Sequence, residues 1–596
     1  MAERPVCWPR REPRTPGQKR GSSGSGGVRQ APSYSSRCGR FHSVLWLPQY
    51  TNQHLITDRM LQSSKVTSDG VSEVSPPAKT RRASRFFTAI LWNWLGVAIN
   101  VIIGIVVSPY IVRKLGSERF GIWSLVFSLL EYLWFFDLGF NTAVTKFVAH
   151  YRAKNEPDQV NRVISSGLFY SSIVALAFLA ASAIAAAHSD FFLPVANDIN
   201  RREFRALILI TGMAWGAMFP LHFFSACLDA YQRYDALTRS WVATLLIRSA
   251  GCAALLYFGF GLKAMGVVVV LGQLAGNVIA VFSFRASFPQ LHLRLSSVSG
   301  ALLKEMMSYG IHSFVANISN LLLYQGPPVI IAHFRTAAFV GYYMLPFRLL
   351  QYLVDAVTRV GFVTRSNVAE MQATGEERGI YNMTMLLNRY CATLFMPAVV
   401  YLLVYGTPLV RKWISPEYAL NSGPLLPIMA VTVLIAVAGQ YNSGSALYGM
   451  ARHNLMARGL LVESVAGAVG LALVLPHYGL VGAAWTVGVL SVMDRGLFVA
   501  WLTCRALHES FLGFVSGIYL RPFLTCFPVL ALLLAIKAAG IQGTTWPQLI
   551  GLAVLTGIIY YALSFFTCVT GEHRGVLLDW LSKHASPLKR SAAAAG

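Results

Sequence analysis

Apolar and polar positions alternate along this chain in long blocks, not in short periods. From residue 86 to 568, runs of about 20 apolar residues recur between short polar connections. A helix of that length crosses the hydrocarbon core of a bilayer. The pattern predicts an all-α integral membrane protein with about 14 transmembrane helices. Their limits fall near 86–111, 120–147, 162–187, 204–228, 240–260, 264–285, 306–333, 337–363, 385–406, 424–445, 457–476, 479–503, 518–539 and 546–568. The connections are short, and the longest on the outer side runs around Asp190 to Arg202.

Polar residues inside these spans are not scattered. At 100° per residue, Asn93, Asn100, Gly104 and Ser108 share a face of span one, and Ser313, Asn317, Asn320 and Tyr324 share a face of span seven. Span two carries Ser124, Ser128, Glu131, Thr142 and Thr145 together, with Asn141 at the edge. Span eight carries Arg348, Gln351, Tyr352, Asp355 and Arg359, opposite an aliphatic face. A charge at the bilayer centre costs roughly 3 kcal/mol, so these faces must meet protein or water. For the asparagines, hydrogen bonding between helices is as good a reading as a cavity. Glu131 and Arg348 lie about 17 Å into their spans, near the midplane, which favours a cavity. Arg359 is nearer the surface, where a long side chain snorkels, and Asp355 stands at helical spacing from both arginines. Glu463 is a further candidate, as a proton site. Arg248 and Arg495 read as snorkelling residues near cytoplasmic helix ends, and Asp494 as locally paired.

The polar faces are also related to each other. A shift of 220 positions pairs Asn100 with Asn320, Gly121 with Gly341, and Leu129–Leu133 with Leu349–Leu353. Six spans separate the copies, so both have the same orientation in the membrane. The expected architecture is two six-helix bundles around a central cavity, over 86–285 and 306–503. Two additional helices follow at 518–568, with a basic tail at 1–85 before the bundles and a short one at 569–596 after them.

Composition supports this and narrows the partners. Of 596 residues, 55% are hydrophobic and 13% charged, against about 25% charged in soluble domains. The formal charge of +24 would suggest nucleic acid. However, much of the excess lies in the first 85 residues and in short loops, the mark of positive-inside topology. The Lys and Arg of those loops divide about two to one in favour of a cytoplasmic N-terminus, and an even span count returns the C-terminus to the same side. The tail has the composition of a flexible linker around Arg20–Gly27, and Met60 offers an internal start. Eight cysteines form no CxxC pair, so neither a disulfide framework nor a metal site is expected. No cofactor is expected, and no GxxxxGK[ST] loop for ATP occurs.

The segment Leu115-Gly-Ser-Glu-Arg-Phe-Gly-Ile-Trp-Ser124 is followed by Phe136-Asp-Leu-Gly-Phe-Asn-Thr-Ala-Val-Thr-Lys-Phe-Val-Ala149. Together they resemble the polysaccharide-transporter family, the O-antigen and exopolysaccharide (Wzx-type) flippases of the multidrug/oligosaccharidyl-lipid/polysaccharide superfamily. The LGxxxFG turn and the DLG element at Asp137 and Gly139 carry the likeness. It implies alternating access in the bacterial inner membrane and a lipid-linked oligosaccharide of undecaprenyl-diphosphate type as cargo. It also implies coupling to an ion, H+ or Na+, or to the membrane potential, and work alongside other polysaccharide assembly proteins rather than catalysis. The element at Asp137 and Gly139 is as readily structural as substrate-binding. Rival readings are an ion-coupled exporter of organic cations, and a membrane glycan polymerase or ligase.

Overall fold

The computed structural model describes residues 99–289, 295–575 and 578–579, and all regular structure among them is helical. The helices are α1 (99–115), α2 (Ser117–Leu133), α3 (Phe140–Ala153), α4 (Pro157–Ala187), α5 (Asp198–Ala230), α6 (Tyr234–Tyr257) and α7 (Leu262–Ser287). There follow α8 (Gly300–Phe334), α9 (Ala337–Ala373), α10 (Glu377–Trp413), α11 (Leu425–Gly449), α12 (Asn454–Ser491), α13 (Val499–Ala506), α14 (Phe511–Ala538) and α15 (Trp546–Thr567). Among the described residues, ten segments are both long and apolar enough to cross a membrane. Several start on polar N-caps: the side chains of Asn197, Ser299, Ser510 and Thr545 accept from the backbone N–H three residues on.

The apolar blocks divide into a face toward protein and a face toward lipid. On α15, Leu552, Thr556 and Tyr560 are buried, while Ile550, Val554 and Ile558 are exposed. Side chains of that kind are stable outward only in hydrocarbon. Helices α14 and α15 lie against α10, where the Tyr401 hydroxyl donates to Leu549 O at 3.1 Å and Arg389 Nε donates to Gly517 O at 2.5 Å.

Two predicted spans have a different local form. Span two, expected unbroken over 120–147, stops at a 3-10 turn, Trp134–Asp137, and restarts at α3. Leu138 (φ 49°) and Gly139 (φ 73°) are both left-handed. Thr142 and Thr145 therefore do not continue the face of Glu131; Thr145 Oγ1 donates to Asn141 O and to Ala226 O of α5. Helix α12 breaks at Gly479 (φ 60°, ψ −153°) and folds back on itself. A Cβ on Gly470 would lie 2.8 Å from Thr486, which only antiparallel halves allow. A seven-residue π-helix, Val492–Phe498, joins the returning half to α13.

The repeat has a physical counterpart where α2 meets α9. A Cβ on Gly121 would strike Ala337 O, and one on Gly341 would stand 3.1 Å from Phe120 and 3.5 Å from Ser117 O. Shifted by 220, Gly121 becomes Gly341 and Ser117 becomes Ala337, so each contact maps onto the other. Such reciprocity is what a two-fold axis imposes on an interface. A second contact maps only in part: Tyr352 of α9 packs where a Cβ of Gly104 on α1 would be, whereas its shifted counterpart Tyr132 of α2 lies 3.6 Å from the Cβ position of Gly326 on α8, two residues beyond the partner of Gly104.

Candidate substrate cavity

Between the two repeat-related groups of helices lies a cavity of about 370 Å³. Its wall is built from α1, α2 and α6 on one side and from α8 and α9 on the other. Glycine at 104 lets α1 approach the ring of Tyr352, and small residues at Ser108, Ser128 and Ser249 leave room between the helices. Three charged side chains face this space: Glu131 from α2, Arg248 from α6 and Arg348 from α9. Asn100, Gln325 and Tyr352 add neutral hydrogen-bonding groups, and Trp123, Phe127 and Phe347 add apolar and aromatic surface.

None of the three charges is neutralised by a close partner. No salt bridge or hydrogen bond ties Glu131, Arg248 or Arg348 to another side chain among the described residues. Arg248 is an electrostatic neighbour of Glu131 and Tyr352, and Arg348 of Tyr352 and Arg248. The cavity thus holds two guanidinium groups and one carboxylate, an excess of one positive charge. Arg348 and Arg248 come from opposite walls, so a dianion between them would meet forked donors on two sides.

Other predicted residues lie elsewhere. Gln351 faces a smaller cavity within the second group, and its Nε2 donates to Asp355 Oδ1 at 3.0 Å. Asn320 does not line the larger cavity. Asp137 accepts from Asn141 N at 3.3 Å and from Asn141 Nδ2 at 2.7 Å, so it caps the first turn of α3, with Gly139 supplying the left-handed residue before it. Asn93 lies outside the described residues, as do the side chains of Asn317 and Arg359. Arg248 faces this cavity and is not the snorkelling end residue that its place in the sequence suggests. Helix α6 begins at Tyr234, which puts Arg248 about 21 Å along it, in mid-membrane. A helix start drawn further back, at the Asp235 turn, would have shown this from the sequence.

Just past one end of the cavity, α1 is tied to α10 through backbone carbonyls. Arg113, at the end of α1, donates to Ile414 O (2.7 Å), Lys412 O (2.7 Å) and Trp413 O (2.9 Å), the free carbonyls at the end of α10. Trp413 Nε1 returns a bond to Ile105 O of α1 at 2.8 Å. At the other end, Leu302 and Met306 of α8 are buried in one cluster with Phe140, Phe147 and Phe223.

The sequence of residues 87–361 matches the family model described as polysaccharide biosynthesis protein. The fold agrees: a structure of the lipid II flippase MurJ in an inward closed conformation superposes with a TM-score of 0.64 at 13% identity, covering 80% of this chain and 98% of that one. A multidrug resistance MATE family transporter in an inward-facing conformation gives 0.56 at 12% identity, covering 69% and 94%. In sequence, the chain is 22% identical to the uncharacterized membrane protein EpsK of Bacillus subtilis (strain 168), over 82% of this chain and 97% of EpsK. It is 21% identical to a Shigella flexneri protein provisionally named an O-antigen transporter, over 70% and 97%. The ten long apolar helices among the described residues, with this family match, fit a multi-pass membrane protein.

Proposed function

We propose that this protein is a flippase that carries a lipid-linked oligosaccharide, with an undecaprenyl-diphosphate-type anchor, across the bacterial inner membrane by alternating access. The observation that supports this reading best is the pair of guanidinium groups, Arg248 and Arg348, facing one cavity from opposite walls. A diphosphate head needs cationic forks that leave water with it. Asn100, Gln325, Ser128 and Tyr352 suit sugar hydroxyls, while the lipid tail stays in the bilayer between helices. Glu131 balances the arginines when no cargo is present. An organic cation would meet a net positive wall, which disfavours the drug-exporter reading.

In this reading both termini are cytoplasmic, and the end closed by Arg113 faces outward. The test is surface polysaccharide export in a strain lacking the chromosomal copy, complemented with each variant at matched membrane levels. Arg348→Ala and Arg248→Ala should each abolish export, and Arg348→Lys should keep part of it, because an ammonium lacks the fork. Wild-type export by both alanine variants would refute the phosphate role.

A further inference from the structure

A second polar cluster lies outside the cargo cavity, inside the second group of helices. Arg495, in the π-helical turn, donates from Nε to Glu463 Oε2 at 3.0 Å, across the hairpin of α12. The side chains are 8% and 0% exposed. Arg495 Nη1 donates to the Tyr324 hydroxyl of α8 at 3.0 Å. The carboxyl of Asp494 faces that of Glu463. Two atoms in this closed space have no protein partner: Glu463 Oε1, which needs a donor, and Arg495 Nη2, which needs an acceptor. A cavity of about 70 Å³ adjoins Arg495, with Tyr324, Gln351, Gln440, Tyr441 and Ser491 on its wall.

Charge decides what such a cluster binds. Two ionised carboxylates and one guanidinium leave one negative charge buried in the membrane, a costly arrangement. Carboxyl groups that meet hold one proton between them more readily than none. That proton supplies the donor that Glu463 Oε1 lacks and makes the cluster neutral. A metal cation would have to sit against the guanidinium already on Glu463, so the proton is the ligand that fits. The other ionisable groups facing the cluster are Tyr324 from α8, Tyr441 from α11 and, beyond Tyr441, Asp355 from α9. None of these supplies a second positive charge. The π-helix is a further pointer, since such turns recur at functional sites.

We infer that Glu463 and Asp494, joined by Arg495, form a proton-binding site in the second group of helices that links proton uptake to the positions of α8 and α9. The link runs through Tyr324, whose ring lies 5.9 Å from that of Phe347. Phe347 lines both cavities and is the residue before Arg348. When the proton leaves, the second carboxylate competes for Arg495 and draws it from Tyr324, which frees the wall that carries Arg348. The proton moves from water on one side to a carboxylate oxygen, and from there to water on the other side. The role in transport rests on the proposed flippase function, whereas proton binding itself does not.

The experiment therefore has two arms. The first is infrared difference spectroscopy between acidic and alkaline buffer, on the full chain in phosphatidylethanolamine–phosphatidylglycerol vesicles. A titrating band of a buried protonated carboxyl is expected in wild type and should be absent in both Glu463→Gln and Asp494→Asn. The same band in all three proteins would overturn the site. The second arm follows polysaccharide export in cells while the proton gradient is collapsed and the membrane potential held. Wild-type export should fall several-fold, and Asp494→Asn, at equal membrane level, should be slow and indifferent to the gradient. Export by Asp494→Asn that follows the gradient like wild type would overturn the coupling. A positive first arm with export untouched by Arg348→Ala would fault the cargo reading and leave the proton site standing.

Discussion

Arg113→Ala is the sharpest mechanical test of the closed end. The side chain makes three bonds to carbonyls at 2.7, 2.7 and 2.9 Å, two partly buried and one exposed. Shielded hydrogen bonds to a charged group contribute about 1.5–3 kcal/mol each, and exposed ones much less. Counting the clamp as one well-shielded bond gives about 1.5–3 kcal/mol in favour of the closed state. Each 1.4 kcal/mol is tenfold, so the closed population should fall about 10- to 150-fold relative to the open one. Spin labels at Asn197→Cys and Leu420→Cys, both exposed at this end, would report the separation by pulsed electron resonance. The six native cysteines among the described residues are buried and compete little for label, and Cys7 and Cys38 of the tail are replaced by serine. Arg113→Ala should move the distance distribution toward a longer population, and Arg113→Lys, with one point charge for three carbonyls, should fall between. A distribution identical to that of the parent would refute the clamp.

Two further outcomes follow from the same geometry. Gly104→Val places a side chain where the Tyr352 ring stands and should block export at normal membrane levels; Tyr352→Ala in the same chain should restore part of it, as measured by surface polysaccharide. Reporter fusions after Arg152 and after Gly596 should read as cytoplasmic and one near Asn197 as external; the opposite result at either terminus would show an odd number of crossings between them.

The sequence made the membrane class and the repeat legible because both rest on signals that need no tertiary knowledge. Block hydropathy marks helices that face lipid, and a fixed offset of 220 survives in residues that packing constrains, such as Gly121 and Gly341. The break at Leu138–Gly139 was not legible as a break, because hydrophobicity runs straight through it. Only the left-handed backbone shows that Asp137 ends one helix and caps the next. The cavity was half legible. Glu131 and Arg348 stood out by depth and face, Asn100 by face alone with interhelical bonding an equal reading, and all three line it. Arg248 and Arg495 were misjudged for one reason: their depth was measured from span limits set by hydropathy, whereas α6 begins earlier, at Tyr234, and the π-helical turn holds Arg495 buried in the bundle. Gln351 shows the limit of face arithmetic. It shares a stripe with Arg348 yet opens into a different cavity, because one stripe on α9 is wide enough to serve two neighbours.

The reciprocal contact of Gly121 with Ala337 and of Gly341 with Ser117 also fixes a lever arm. These contacts lie in the first turns of α2 and α9, at the Arg113 end of the bundle. Glu131 stands about 15 Å further along its helix, and the opposite end of the bundle further still. In the proposed alternating-access cycle, rocking about this seam would move the far end through the longest arc while the near end scarcely shifted. The far gate can swing on an intact fulcrum. The near gate has no such leverage, and opening it means parting the glycine seam as well as the arginine clamp, so the two gates differ in stiffness although the halves that form them are copies.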